Sequence, residues 1–147
     1  MAKLLDSKTG ARVVIASDDH CPPHVHARHK EEGWVVRLWF AFESDLVGVM
    51  SIAPGEAAVR QRQLNQMLDE VVAKLRDFRK VWWETRKTTC LENKWMVRIA
   101  PGGLAVLNER RSGAKQVRSA KYEVVTGKTA VTFADGTEAS IASGDAK

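Results

Sequence analysis

Apolar and polar positions alternate through most of the first third of the chain, the period of a half-buried strand. Arg12-Val13-Val14-Ile15-Ala16 is a short β-rich run that stops at the polar Ser17-Asp18-Asp19-His20. Pro22-Pro23 then holds the backbone extended, because each ring fixes φ and restricts the residue before it. The alternation resumes with His24, His26 and Arg28 on one face and Val25 and Ala27 on the other. After the turn Glu31-Glu32-Gly33, Trp34 to Phe42 is the strongest strand, with Trp34, Val36, Leu38, Phe40 and Phe42 on one side. Glu43-Ser44-Asp45 turns the chain and Leu46 to Ile52 returns. Together these predict a four-stranded, mainly antiparallel sheet with one apolar face.

Beyond Pro54-Gly55 the period changes. Leu64, Leu68, Val71, Leu75, Phe78 and Trp82 are three or four positions apart throughout, a single helical stripe. The spacing predicts one amphipathic helix from Ala57 to Arg86, about 45 Å long at 1.5 Å per residue. Such a stripe suits packing on a sheet, and it also suits the seam of a homodimer. Thr88-Thr89-Cys90, poorer helix formers, end it. Short strands follow. Pro101-Gly102-Gly103 turns the chain between Met96–Ala100 and Leu104–Asn108. Ala120–Val125, Lys128–Phe133 and Thr137–Ala142 form a meander whose second turn, Asp135-Gly136, is a type I′ hairpin signal. The expected fold is therefore α+β: an antiparallel N-terminal sheet packed on one long amphipathic helix (residues 1–96), followed by a small C-terminal β-meander (residues 97–147).

At 147 residues the chain can bury enough surface to fold without a disulfide or a metal. No apolar run reaches the ~20 residues needed to span a bilayer, and the first residues lack a signal-peptide core. Cys21 and Cys90 are far apart and in no metal or redox spacing. The expectation is a cytoplasmic protein with reduced thiols. The net charge of +5 is uneven. Residues 1–53 carry six Lys/Arg against seven Asp/Glu, whereas 54–96 carry nine against six and 97–147 eight against five. That excess favours acidic partners, nucleic acid among them.

All four histidines, His20, His24, His26 and His29, fall within ten positions, just after Asp18 and Asp19. His24 and His26 project from one face of a strand, and His20 can return to it across the diproline bend. Imidazoles so placed, His20, His24 and His26 with a carboxylate completing the set, suit zinc or a similar divalent ion. With Arg28 beside them they also suit a phosphate. The plainer alternative is that they cap or solvate an open sheet face. Asp19, His20, His24, His26 and Arg28 form the candidate functional surface. A second surface combines basic residues and tryptophans: Trp39, Arg76, Arg79, Lys80, Trp83, Arg86, Lys87, Arg110 and Arg111.

Asp19, His20, Pro22, Pro23, His24 and His26 resemble the Asp-His-x-Pro-Pro-His-x-His signature of a bacterial family of unknown function, and Trp95 stands where that family closes. The helix here is longer and more heptad-like than that family's. Val131-Thr132-Phe133-Ala134-Asp135-Gly136 looks similar to a hairpin of a second small family often encoded beside the first. The resemblance implies a regulatory setting of toxin–antitoxin or mobile-element type, and no established activity. Two functions are expected from it and from the residues. One is a non-enzymatic regulatory or inhibitory protein that engages nucleic acid or a protein partner through the histidine face and the basic helix. The other is a metal-dependent hydrolase or nuclease with His20, His24, His26 and Asp19 as ligands or acid–base groups.

Overall fold

The computed structural model describes residues 2–16, 18–99 and 103–142. They divide into two compact units, Met1–Ala41 with Leu46–Arg86, and Phe42–Asp45 with Lys87–Lys147.

The first unit is a five-stranded antiparallel sheet in sequential order: β1 (Ala2–Asp6), β2 (Arg12–Ile15), β3 (His24–Arg28), β4 (Val35–Phe40) and β5 (Val47–Ala53). One more strand is present than the pattern predicts. β1 is short and carries only two adjacent apolar side chains after Lys3, too few to show a period. Register sets the faces. Val13 pairs with Ala27, Ala27 with Val36, and Val25 with Leu38, so these side chains share a buried face. Phe40, at the end of β4, meets the rings of Phe78 and Trp82, with centroids 6.2 Å away in each case.

The single long helix is corrected: two short helices, α1 (Gln61–Ala73) and α2 (Leu75–Arg86), take its place. Lys74 between them leaves helical geometry at φ −124° and ψ 23°, its N–H turning back to Val71 O. The reason is one of size. Five strands span only about 20 Å at ~4.8 Å each, so a straight 45 Å rod would run well past the sheet. Broken at Lys74, the chain packs α1 against β5 and α2 against β1, the two opposite edges. Hydrogen bonds fix each helix to loops of the sheet. Glu70 of α1 accepts from the Ser7 hydroxyl and the Lys8 N–H, and Arg79 of α2 donates to Ala41 O at 2.8 Å. The buried stripe also differs from the expected one, because Met67 is fully buried while Leu68 is only half-buried.

The second unit is another five-stranded antiparallel sheet, order β10-β9-β8-β6-β7. Its strands are β6 (Trp95–Ile99), β7 (Gly103–Leu107), β8 (Lys115–Glu123), β9 (Lys128–Phe133) and β10 (Glu138–Ala142). The predicted meander is thus part of a larger sheet, and the fold class is corrected from α+β to mostly β. β6 joins β8 over only two residue pairs, a junction too short to leave a pattern in the sequence. Ala100, Pro101 and Gly102, part of the predicted hairpin, lie outside the described residues. The turns at Thr126-Gly127 and Asp135-Gly136 both form, with Gly127 at φ 72° and Gly136 at φ 88°, conformations that glycine adopts at no steric cost. The second is corrected from type I′, because only Gly136 and not Asp135 takes a positive φ, in a three-residue loop closed by the Phe133 N–H donating to Thr137 O.

No helix among the described residues is long and apolar enough to cross a membrane. Neither Cys21 nor Cys90 is a free thiol; both are disulfide-bonded. This corrects the expectation of reduced thiols and removes the cysteine argument for a reducing compartment.

Candidate metal centre

The loop between β2 and β3 closes on itself before it reaches the histidines. Asp19 N–H donates to Ala16 O at 3.2 Å, and Asp19 Oδ2 accepts from Ala16 N–H at 3.0 Å. Short acidic side chains readily make such local backbone bonds. This leaves Oδ1 directed at β3, where it lies 2.9 Å from His26 Nε2 and 3.5 Å from His24 Nε2. His24 is held from its other side, as Nδ1 donates to Pro22 O at 2.7 Å. The two imidazole centroids are 5.1 Å apart, and that of Trp82 lies 5.7 Å from His24.

Residues of this chemistry are seldom buried together. His24 is 1% exposed, His26 7% and Asp19 8%. One ligand atom from each lies within 4.8 Å of the others. Burial acts to raise the Asp19 pKa, but the hydrogen bonds from His26 and the Ala16 N–H, with the charges of His26 and His24, outweigh it. The carboxyl therefore sits below its ordinary range and is ionised at neutral pH.

Two imidazoles and one carboxylate are a donor set for zinc or another first-row divalent ion, and the group could hold a metal. Its surroundings fit. A ligating histidine usually donates its second ring N–H to a carbonyl or carboxylate, which orients the ring. His24 does this toward Pro22 O and keeps Nε2 for a ligand. Asp19 Oδ2 accepts from the Ala16 N–H, which leaves Oδ1 for a ligand. His26 Nε2, bonded to Asp19 here, would exchange its proton for the ion.

The sequence placed His20, His24 and His26 together. Of these and the candidate carboxylate Asp19, the structure gathers Asp19, His24 and His26 and leaves His20 exposed beside them, its ring 6.0 Å from that of His24. The fourth histidine is elsewhere. His29 closes the β3–β4 turn, accepting the Glu32 N–H at Nδ1 (3.0 Å), with its ring 5.0 Å from that of Trp34. The expected histidine–arginine surface is divided, for His24 and His26 are buried while Arg28 is exposed. Of the second candidate set, Arg79 is turned inward, 2% exposed and bonded to Ala41 O. Arg76, Lys80, Lys87, Arg110 and Arg111 are exposed, and Trp39, Trp83 and Arg86 half-buried.

Arg12 and Arg37 were not singled out in the sequence. The alternation puts Arg37 on the polar side of its strand; the pairing that sets Arg12 opposite Arg28 and Arg37 opposite His26 was not visible. Trp82 was read only as a member of the helical stripe, and its indole N–H is buried without a hydrogen-bond partner among the described residues. No family model, curated protein or solved structure matches this chain.

Proposed function

We propose that this chain is a metal-dependent hydrolase in which Asp19, His24 and His26 hold a divalent ion of the zinc type. The observation that carries this reading is the convergence of three buried ligand atoms within 4.8 Å. Three protein ligands leave a coordination position open, the arrangement of catalytic rather than structural zinc. An ion there would act as a Lewis acid and lower the pKa of water. The chain's own residues have separate parts. Asp19 supplies the one negative charge of the ligand set, and Pro22 O sets the His24 ring. His20, exposed at the edge of the group, is placed to move a proton between the site and solvent.

The test is metal content and affinity. Purified chain, stripped with chelator and titrated with zinc or cobalt, is expected to take up one equivalent, and Asp19→Ala, His24→Ala and His26→Ala each to lose it. Hydrolysis of phosphodiester and ester substrates that disappears on chelation and returns with the ion supports the catalytic part. If no ion binds, Asp19, His24 and His26 are a hydrogen-bonded structural network and the reading fails. A second reading, a non-enzymatic binding regulator of the kind the family resemblance implies, is favoured by the arginines on the same sheet face. Metal-independent ligand binding with no turnover of any substrate would select it.

A further inference from the structure

Every charged residue in the five strands of the first unit lies on one face of the sheet. Arg12 and Arg28 are direct cross-strand partners, and Val14 pairs with His26, so the arginines share the face of the histidines. His26 in turn pairs with Arg37, and His24 with Trp39. Lys3 pairs with Val14, and Asp6 with Arg12, which brings β1 into the same face. Arg12, Arg28 and Arg37 are all exposed. The one carboxylate on these strands, Asp6, is bonded by Lys3 at 2.8 Å and also faces Arg12, its cross-strand partner, which leaves Arg28 and Arg37 without an acidic neighbour on the strands.

Like charges directly opposite one another weaken a sheet. A strand pair that sets Arg12 against Arg28, with Arg37 on the diagonal one strand further on, carries a cost that an anion lying over the face relieves. The guanidinium group presents a planar fork matched to phosphate oxygens. Beside the arginines, Trp39 sits over Gly48, where a Cβ would come within 2.5 Å of the indole. Its cross-strand partner is thus a glycine whose missing side chain makes room for the ring, and the ring is half-exposed. Cations that track a backbone, next to an aromatic platform, are the two parts of a single-strand nucleic-acid surface.

We infer that the β1–β4 face binds single-stranded nucleic acid, with phosphodiesters on Arg12, Arg28 and Arg37 and a base stacked on Trp39. The strand would then pass beside the Asp19–His24–His26 group, making a phosphodiester the substrate class of that site. The substrate role rests on the metallohydrolase reading; binding itself needs no metal, so the two are separable.

The experiment is fluorescence anisotropy of a labelled single-stranded oligonucleotide of about 12 nucleotides, in chelator, at about 50 mM and about 200 mM salt. Wild-type chain is expected to bind, with affinity falling as salt rises. Arg12→Gln/Arg28→Gln/Arg37→Gln, changed together at exposed positions, should lower affinity at least about a hundredfold and flatten the log–log salt slope by about 2. Trp39→Ala should weaken binding about tenfold while leaving that slope unchanged. Each variant is checked by circular dichroism, and Arg118→Gln/Lys121→Gln/Lys128→Gln, three exposed positions of the second unit, serves as an equally charge-reduced chain outside the face. No binding at low salt, equal loss in that control, equal affinity for a duplex of the same length, or an unaltered triple variant overturns the inference. Binding that survives in His24→Ala/His26→Ala upholds it even if the metal reading fails.

Discussion

His26 Nε2 and Asp19 Oδ1 are 2.9 Å apart in a buried contact between residues seven positions apart. That contact ties the β2–β3 loop to the middle of a sheet strand. It positions the one carboxylate of the site, and its loss leaves donors on both sides unanswered.

Asp19→Ala is expected to destabilise the chain by roughly 1–3 kcal/mol, since the His26 N–H and the Ala16 N–H both lose their acceptor in a buried place. Asp19→Asn keeps an acceptor oxygen and should cost less. Urea denaturation of the two variants measures the difference. Equal stability of Asp19→Ala and wild type would mean that the loop is not held through this carboxylate.

The broken helix gives a second prediction. Met67 is fully buried and Leu68 half-buried, although an unbroken heptad stripe would use Leu68. Met67→Ala should therefore cost about 2–5 kcal/mol, as for other buried large-to-small changes, and Leu68→Ala less than half as much. The reverse order would restore the continuous helix.

Gly48 and Trp39 should be coupled. A methyl group at position 48 meets the indole within 2.5 Å, so Gly48→Ala must displace the ring, at about 1–3 kcal/mol for an overpacked site. In a Trp39→Ala background the same change should be nearly neutral. A double-mutant cycle measures the coupling, and tryptophan emission reports the displaced ring. Additive effects would remove Gly48 as the reason the indole lies where it does.

Acid should loosen the β3–β4 turn. The Trp34 indole N–H and the Gln63 amide donate to Glu32, with His29 and Arg60 adding favourable charge, and hold its carboxyl below the ordinary 4.5. Because the folded-state pKa is the lower one, this stabilisation is fully present above about pH 4.5. It is lost as pH falls through the folded value. Melting temperature should decline across that window in wild type and decline less in Glu32→Gln, which keeps the acceptor oxygen but cannot titrate. Parallel curves for the two chains would exclude Glu32 as the titrating group.

Strand alternation from His24 to Phe40, the Asp135-Gly136 turn and the amphipathic character of 61–86 follow from the sequence by itself, because each depends on neighbours a few positions away. The same locality explains what was legible of the site: His24 and His26 had to share a strand face. Which carboxylate or third imidazole joined them was decided by a hydrogen bond that folds the loop at Asp19 back on Ala16, closing the group with Asp19 rather than His20. The break at Lys74 came from the width of a sheet that the helix has no local means of sensing. Pairing likewise set Arg12 against Arg28 and Arg37 beside His26, and grew the C-terminal meander into a five-stranded sheet. Register between strands is a property of the folded chain, since it matches side chains that are distant in sequence.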